Sequence, residues 1–337
     1  MNDQSIDAKQ ARFIGVDTHA SIHVLAVSDG DGGVLEVVEF GTDPEAVMAT
    51  TDWVTTHSPV RVGVEGSSSY GAALTAALLA AQIPVVEVTR PNRQARRNQG
   101  KSDHLDAIQA AHAARTGQHT SPVKSHPLLH ELQAHYVFRE SALKSRTEVG
   151  NQLQALARIR GFNPGKQSRT MITRLTGHPD LALAAQRWLA LDDEAKQHHK
   201  QMETWLKNHA PELLAQPYIG PVSATQLILA SGLNPERVAR EAAFARLCGL
   251  APIPASSGKR QRHRLHRGGD RSANEAFWRI AWLRFTRTER SKTYIAKRLE
   301  KPTETYAGAL RCLKRKLCRE ITPLIHKIAL RHNPQAT

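Results

Sequence analysis

The chain has few cysteines, few aromatic residues and no long apolar run, and each scarcity excludes a class of protein. Its three cysteines, Cys248, Cys312 and Cys318, form neither an even disulfide framework nor a CxxC metal-binding spacing, which indicates a reducing compartment. Aromatic residues make up only 5% of the chain, which argues against stacking of single-stranded bases as the main mode of binding. No apolar run approaches the roughly 20 residues of a membrane span, and the amino-terminal residues do not resemble a signal peptide. We therefore expect a bacterial cytoplasmic protein.

The chain is strongly basic. Its 337 residues include 46 Lys and Arg against 31 Asp and Glu, a formal net charge of +15. Such an excess favours a polyanionic partner over a small acidic substrate. Nucleic acid is the leading candidate, and we expect the protein to associate with the bacterial nucleoid. A membrane surface is the weaker alternative, because no basic amphipathic helix with an aromatic face is evident.

The first third of the chain alternates between strand and helix patterns. Strands are predicted at residues 12–18, 22–28, 34–41, 60–65 and 84–89, and helices at 44–57, 70–81 and 92–116. Asp31, Gly32 and Gly33 supply a hairpin turn between the second and third strands. Three hairpin-joined strands followed by helix, strand, helix, strand and helix is the element order of the ribonuclease H architecture. We therefore predict an α/β, ribonuclease-H-like (RuvC-like) domain over residues 1–118.

Four acidic residues lie where such a sheet would gather metal-binding carboxylates. Asp17 and Glu65 each end an apolar strand, and Asp103 and Asp106 are three residues apart in a helical segment, so the latter two share a helix face. A cluster of this kind repels itself unless pKa values rise or cations bind. Oxygen ligands favour Mg²⁺ or Mn²⁺, and a pair of these ions stabilises both the attacking and the leaving oxygen of a phosphoryl transfer. For any single acid the alternative is a structural role, such as complementing a helix dipole after an N-cap at Ser102.

The rest of the chain is predicted to be mainly helical. Residues 119–210 lack strand signals and carry apolar residues at helical intervals, which predicts long helices that pair as a coiled coil or serve as a spacer. Residues 211–337 form the third predicted domain. Within it, Ile219, Gly220 and Pro221 predict a turn like that of helix-hairpin-helix modules, where a backbone amide at a helix N-terminus meets a phosphate. A plain helical turn is the alternative.

A loop with two serines leads into the most basic segment of the chain. Ser256, Ser257 and Gly258 follow a stretch with two prolines. The cations that we predict to contact nucleic acid, together with Gly220, are Lys259, Arg260, Arg262, Arg264, Arg267 and Arg271. A serine in such a loop either binds a phosphate passively or acts as a nucleophile. No GxSxG motif is present, so activation of a nucleophile would come from metal or from neighbouring cations.

Motifs from both ends of the chain resemble one family of transposases. The amino-terminal motifs are Gly15-Val16-Asp17, Gly63-Val64-Glu65-Gly66 and Lys101-Ser102-Asp103-His104-Leu105-Asp106-Ala107. The carboxy-terminal motifs are Ile219-Gly220-Pro221, Leu247-Cys248-Gly249-Leu250-Ala251-Pro252, Ser257-Gly258 and Arg267-Gly268. They resemble the DEDD domain and the transposase domain of the insertion-sequence one-ten (IS one-ten) family, which includes the Piv pilin-gene invertases. The resemblance covers nearly the whole chain except the helical middle.

This resemblance implies a DNA transposase or site-specific recombinase of an insertion sequence with a two-part active site. The four acids would bind Mg²⁺ or Mn²⁺, and a carboxy-terminal serine would attack DNA to give a phosphoserine intermediate. Ser257 is the expected nucleophile because it immediately precedes Gly258, and Ser256 is the alternative. The resemblance also implies a structured bridge RNA that pairs with donor and target double-stranded DNA. Homodimers that assemble into tetramers are expected as well.

Two other functions fit the residues alone. A ribonuclease-H-like nuclease, such as a Holliday-junction resolvase, would use the four acids to activate water, and its serine loop would only bind phosphate. A non-catalytic basic protein would bind nucleic acid with steep salt dependence and without divalent ions. Changing Ser257 to alanine separates the recombinase from the nuclease, because only the recombinase needs the hydroxyl group for chemistry.

Overall fold

The structure is a computed structural model, and it describes residues 8–88, 102–124, 126–161, 165–254, 263–264, 268–301 and 304–332. The chain divides into two compact units. The first comprises Met1–Pro127, Ser231–Phe244 and Ala329–Thr337, and the second comprises Leu128–Ala230 and Ala245–Ile328. We call the first the sheet unit and the second the helical unit.

The elements follow one another in a regular order. The strands are β1 (Phe13–Thr18), β2 (Ile22–Ser28), β3 (Val34–Gly41), β4 (Arg61–Glu65), β5 (Val85–Val88), β6 (Thr120–Pro122), β7 (Ile253–Pro254) and β8 (His263–Arg264). The α-helices are α1 (Pro44–Thr56), α2 (Ala72–Ala80), α3 (Asp103–Thr116), α4 (Leu129–Ile159), α5 (Arg169–Leu175), α6 (Ala182–His209), α7 (Pro211–Leu214), α8 (Pro221–Ser231), α9 (Pro235–Val238), α10 (Glu241–Leu247), α11 (Arg271–Arg287), α12 (Glu289–Leu299) and α13 (Tyr306–His332). A short 3₁₀ helix, Ala8–Gln10, precedes β1.

The sheet unit is built on one mixed sheet with the strand order β3-β2-β1-β4-β5-β6. β2 pairs antiparallel with β1 and β3, whereas β1, β4 and β5 run parallel. The observed ends of these five strands lie within about one residue of the ends predicted from the apolar segments of the sequence. The structure adds β6, antiparallel to β5, which was not predicted because its three residues are too few to show alternation.

Local sequence signals set the ends of the helices in this unit. α1 begins where the Asp43 side chain accepts a hydrogen bond from Ala46 N at 2.9 Å, with Pro44 in the first helical position. α3 ends at Gly117, whose φ of +69° is the left-handed conformation that closes many helices. The six-stranded sheet and these helices together confirm the mixed α/β character predicted for the amino-terminal part.

Helices cover both faces of the sheet. On the face of α1 and α2 the apolar core consists of Ile14, Val16, Leu25, Val27, Val54, Val62, Val64, Leu74, Leu78 and Ile83. On the other face α3 packs through Ala107 against Val24 and Ala26, and through Ala110 against Val88. Since successive side chains of a strand point to opposite faces, the odd-numbered residues of β1 and β4 face α3.

Residues 231–244 also belong to the sheet unit. Asn234 Nδ2 donates to Val123 O at 3.0 Å, and Arg237 Nη1 donates to Pro122 O at 2.5 Å. These bonds fasten the segment around α9 to β6 and the residue that follows it. Covering an edge strand in this way protects the sheet from pairing with other chains.

The helical unit is organised around the long helices α4 and α6, which pack along each other, with α5 against α6. Their apolar core consists of Val149, Leu153, Ile172, Leu175, Leu181, Ala185 and Trp188. Beside it, the buried carboxylate of Asp192 accepts hydrogen bonds from Arg146, Arg169 and Lys196. The largely helical character predicted for the later part of the chain is confirmed. Among the described helices, none combines the length and the apolar composition needed to cross a bilayer.

Candidate functional site

Asp17 and Glu65 lie side by side near the ends of two neighbouring strands. β1 and β4 are parallel, and their register pairs Gly15 with Gly63, so two residues further on Asp17 comes opposite Glu65. Both acids occupy odd-numbered positions and therefore face α3. The strand pattern that was used to predict a carboxylate cluster thus brings these two acids to one edge of the sheet.

The other two acids, Asp103 and Asp106, occupy the first turn of α3. The positive end of the helix dipole favours negative charge at this position. Ser102 is the N-cap residue of α3, as the structural alternative proposed, but its side chain makes no capping hydrogen bond. The position of both acids in the first turn is therefore also compatible with the structural alternative, in which they complement the helix dipole.

Two glycines allow α3 to approach the sheet closely. A Cβ atom on Gly15 would overlap the backbone of α3, and a Cβ atom on Gly63 would lie 2.8 Å from the carbonyl oxygen of Ala110. Each glycine stands two residues before a strand acid, on the same face of the sheet. The close approach therefore brings the first turn of α3, with Asp103 and Asp106, towards the strand ends.

His19 connects a strand acid to a helix acid. Its Nε2 atom lies 3.0 Å from Asp17 Oδ2 and 3.4 Å from Asp103 Oδ2. Because an ionised carboxylate has no proton to give, the imidazole N–H is the donor in the shorter contact. Asp17, His19 and Asp103 each offer one potential metal ligand atom, and these atoms lie within 4.8 Å of one another.

Asp17 is the most buried of the four acids, with only 6% of its surface exposed. Burial raises the pKa of Asp17, and the nearby charges of Glu65 and Asp106 raise it further, whereas His19 lowers it. The acids of β1, β4 and α3 therefore act on one another electrostatically. A cation bound here would offset both the desolvation of Asp17 and the repulsion between the carboxylates.

Hydroxyl groups hold the strand ends of this site in place. Thr18 Oγ1 donates to Glu65 O at 2.6 Å, which ties β1 to β4. Ser67, which is fully buried, donates to Glu87 Oε2 at 2.5 Å and so ties the end of β4 to β5. A cavity of about 420 Å³ opens beside them, with Glu65 and Asp106 in its lining.

The donor set fits a small divalent cation. Carboxylate oxygens are the ligands that Mg²⁺ and Mn²⁺ prefer, and imidazole is a further ligand for transition metals. The Asp103 side chain is 46% exposed, so this side of the cluster is open to solvent. His19 was missed in the sequence, although its spacing from Asp17 was a usable signal. Residues two apart in an extended segment point to the same side.

The loop with the two serines is carried by a short hairpin in the helical unit. β7 and β8 pair antiparallel, with Ile253 opposite Arg264 and Pro254 opposite His263. The predicted site residues Ser256, Ser257, Lys259, Arg260, Arg262 and Arg267, and the neighbouring Gly258, lie outside the described residues.

Hydrogen bonds from Asn274 and Lys314 hold the segment that precedes β7 in place. Asn274 Nδ2 donates to Cys248 O at 3.0 Å and to Gly249 O at 3.1 Å, and Lys314 Nζ donates to Asn274 Oδ1 at 2.7 Å. Burial lowers the pKa of Lys314 to about 8. This lysine therefore belongs to the framework of the hairpin and not to the exposed basic surface.

Three of the predicted nucleic-acid contacts fall on described positions. Gly220 is exposed just before α8, and a Cβ atom there would have no neighbour within 4 Å. The backbone at the start of α8 is thus open to approach. Arg271 is exposed in the first turn of α11, and Arg264 belongs to β8.

Two family models match the chain. Residues 14–159 match the model for the DEDD domain of IS110 elements, which is described as a transposase. Residues 210–296 match the model described as a transposase of the IS116/IS110/IS902 family. The first match contains all four acids, and the second contains the serine hairpin together with α11. No curated protein matches the chain.

Proposed function

Because the chain carries both domains of the IS110-family transposases and is a DNA transposase or recombinase, we propose that it breaks and rejoins DNA with a serine nucleophile and a carboxylate metal site. The observation that carries this proposal is the convergence of the acids. Glu65 and Asp106 act electrostatically on the buried Asp17, and Asp103 is joined to Asp17 through His19.

A ribonuclease-H-like arrangement is proposed for the sheet unit. Its strand order β3-β2-β1-β4-β5, with β2 antiparallel to both neighbours, supports this assignment. The acids of β1 and β4 then lie at the carboxyl ends of parallel strands, which is the edge where open α/β sheets bind their ligands.

The acid cluster is proposed to hold Mg²⁺ or Mn²⁺. Asp17 and Asp103 would be the first ligands, and Glu65 and Asp106 would complete a site for two cations. When bound, such cations neutralise charge on phosphate oxygens. The chain itself keeps the acids in place through the close packing of α3, and the His19 N–H orients the Asp17 carboxylate.

Ser257 is the proposed nucleophile, with Ser256 as the alternative. The serine oxygen attacks phosphorus, an O–P bond forms, and the P–O bond to the departing sugar breaks. The departing oxygen takes up the proton that the serine loses. The phosphoserine linkage conserves the energy of the broken bond, so attack by a sugar hydroxyl reverses the step and rejoins DNA without a high-energy cofactor.

Basic groups around the serine hairpin are proposed to hold the DNA backbone. They are Lys259, Arg260, Arg262, Arg264, Arg267 and Arg271, with the backbone at Gly220 as a further phosphate contact. The exposure of Gly220 and Arg271 and the net charge of +15 support this assignment.

The same family resemblance supports a further set of partners. We propose a structured bridge RNA that pairs with donor and target double-stranded DNA. We also propose homodimers that assemble into tetramers, and an association with the nucleoid. The domain boundaries proposed with this assignment are residues 1–118, 119–210 and 211–337.

Neutralising one acid tests the metal site. Asp17→Asn keeps the size of the side chain and removes its charge, so we expect it to abolish Mg²⁺-dependent cleavage of element-junction DNA and Mn²⁺ binding in calorimetry. Asp52→Asn, at an exposed position of α1, is the matched control and should leave both unchanged. Cation binding and cleavage that persist in Asp17→Asn contradict the proposal. Cleavage that survives changes at both serines indicates the nuclease instead.

A further inference from the structure

Two tryptophans stand in the middle of the exposed stripe of α11. Trp278 is 46% exposed and Trp282 is 40% exposed, one helical turn apart. Their rings are stacked, with centroids 5.9 Å apart and planes inclined by 11°. Large aromatic side chains at neighbouring exposed positions are unusual on a water-facing helix and mark an interaction site.

The tryptophans are not needed to complete the core. α11 buries a separate apolar face, formed by Ala273, Ala276, Phe277, Ile280 and Ala281. An amphipathic helix with one such face needs polar residues opposite it. Trp278 and Trp282 instead lie in line with the exposed Arg271 and Glu275. Their exposed position therefore indicates that they contact a partner and not the described core of the unit.

The aromatic surface continues beyond this pair. The Trp282 ring lies 6.1 Å from the ring of Phe285, which in turn lies 5.4 Å from the ring of Tyr306 at the start of α13. Tyr306 is 40% exposed. We call Trp278, Trp282, Phe285 and Tyr306 the aromatic row. The planes of Trp282 and Phe285 are inclined by 52° and those of Phe285 and Tyr306 by 72°, so the near-parallel tryptophans offer the flat surface on which bases stack and the other two rings border it.

The charge around the row favours a polyanion. Of the four arginines of α11, Arg279 pairs with Glu275 and Arg284 pairs with Glu320. Arg271 and Arg287 are exposed at the two ends of the helix. Protein–protein interfaces also combine tryptophan with arginine, so the choice of a nucleic acid rests in addition on the formal net charge of +15 and on the transposase assignment. Aromatic rings interleaved with cations are typical of single-stranded nucleic-acid grooves, where bases stack on rings and phosphates meet cations.

The row is close in sequence and structure to the serine hairpin. Asp270, the N-cap of α11, donates its backbone N–H to Leu247 O at 2.7 Å, beside the segment that leads into β7. Trp278 lies eight residues further along, about 12 Å along the helix axis. Bases inside an intact duplex are stacked on one another and cannot reach these rings. A nucleic acid that stacks on these rings must therefore offer unpaired bases.

We propose that the aromatic row is a stacking surface for unpaired bases of single-stranded DNA. DNA is the occupant because the chain is a DNA transposase, and breaking and exchanging strands exposes unpaired bases near the site of breakage. This binding site rests on the transposase assignment but does not require a serine nucleophile. It is compatible with the low aromatic content of the chain, because stacking on a few residues of one helix face need not be the main mode of binding.

Binding of a labelled single-stranded DNA and of the matching duplex, followed by fluorescence anisotropy, tests this surface. Trp278→Ala and Trp282→Ala should each weaken single-strand binding roughly 5- to 150-fold, the range for loss of one stacked base. Duplex binding should stay within about twofold. The salt dependence of single-strand binding should keep its slope, because no phosphate-binding cation is removed.

Conservative and remote variants serve as controls. Trp278→Phe and Trp282→Phe should retain most of the single-strand affinity, because an aromatic face remains. Leu183→Ala, which removes a highly exposed apolar side chain of α6, should have no effect. Circular dichroism melting should show that all variants are folded.

Three results would overturn the inference. One is an equal loss of duplex and single-strand binding, which would mean that the row does not discriminate unpaired bases. A second is an altered oligomeric state in sedimentation with unchanged DNA binding, which would identify a contact between copies of the chain. A third is a loss of affinity in the tryptophan variants for RNA of the same sequence but not for single-stranded DNA. A failed serine nucleophile is recognised separately, because it is read from the absence of a covalent protein–DNA adduct and not from single-strand binding.

Discussion

Asp17 shows how a residue suited to binding a cation weakens the metal-free fold. Its carboxyl group is buried beside two other acids, and burial followed by their charges raises its pKa. A raised carboxyl pKa means that the folded state disfavours the ionised form. The stability of the metal-free protein therefore falls as the pH rises from about 3.8 through the folded-state pKa of this group.

We predict that Asp17→Asn stabilises the metal-free protein at neutral pH. The amide still accepts the hydrogen bond from His19 but removes the buried charge. The free energy of unfolding should rise by on the order of 1 kcal/mol, as is common when a strained functional group is removed. Urea unfolding in a chelating buffer measures this. Added Mn²⁺ should stabilise the original protein and not the variant, and a variant less stable without metal contradicts this account of the site.

A second residue-scale prediction concerns Lys314, whose pKa burial lowers to about 8 from the ordinary 10.5. Between these two values the unfolded chain binds a proton that the folded chain has released, so stability should increase with pH across this window. Relative to Lys314→Met, the original protein should gain on the order of 2 kcal/mol between pH 8 and 10.5. Urea midpoints at several pH values test this. Parallel pH profiles for the two proteins would contradict the burial of an ionisable lysine.

At the scale of elements, the acid site depends on how closely α3 lies against β1 and β4. Gly15 and Gly63 are paired across these strands, and α3 passes directly over both. The helix faces them with small residues, among them Ala110 and Ala111, which are buried. Small residues on both sides let the helix backbone approach the sheet and carry Asp103 and Asp106 to the other acids.

We therefore predict that Gly15→Ala both destabilises the protein and weakens the metal site. The added methyl group overlaps the backbone of α3, and overpacking of this kind typically reduces stability by about 1–3 kcal/mol. Mn²⁺ affinity should fall in the same variant, because α3 carries two of the acids. Gly177→Ala, where the nearest atom would be 3.5 Å away, is the matched control. Calorimetry and thermal melting report the two effects, and unchanged Mn²⁺ affinity in folded Gly15→Ala contradicts the role of close packing.

Elements were largely predictable from the sequence because their signals are local. Short apolar segments located β1 to β5, and helical spacing placed Asp103 and Asp106 on α3. Features that depend on contacts between elements were not predicted. His19 gains its position only when β1 and α3 come together. Trp278 and Trp282 differ from core tryptophans only through the packing of α11, which composition does not reveal.

Across the whole molecule, the positively charged side chains are not all on the surface. The buried Lys314 and Arg237 make hydrogen bonds inside the protein. The exposed Arg271 and the cations in the sequence of the serine hairpin are the ones that we propose to contact DNA. The positions of individual cations, in addition to the formal net charge of +15, should therefore govern DNA affinity.

The salt dependence of duplex binding separates local from total charge. Arg271→Ala should weaken binding across DNA sequences and reduce the slope of log affinity against log salt by about one, the effect of one lost phosphate contact. Arg160→Ala removes the same charge at an exposed position that is paired with Asp180 and is not among the predicted DNA contacts. It should leave the slope unchanged. Equal effects of the two changes would mean that only the net charge matters.

Formation of a covalent protein–DNA adduct is the most direct test of the two-part recombinase. The protein, co-expressed with RNA from its flanking non-coding DNA, would be incubated with labelled element-junction DNA and Mg²⁺ and resolved on a denaturing gel. We predict an adduct that is lost in Ser257→Ala and in Asp17→Asn but kept in Asp52→Asn. An adduct that requires Ser256 instead of Ser257 would change only the identity of the nucleophile. Cleaved DNA without any adduct, unaffected by changes at both serines, would contradict the account and identify a nuclease that activates water.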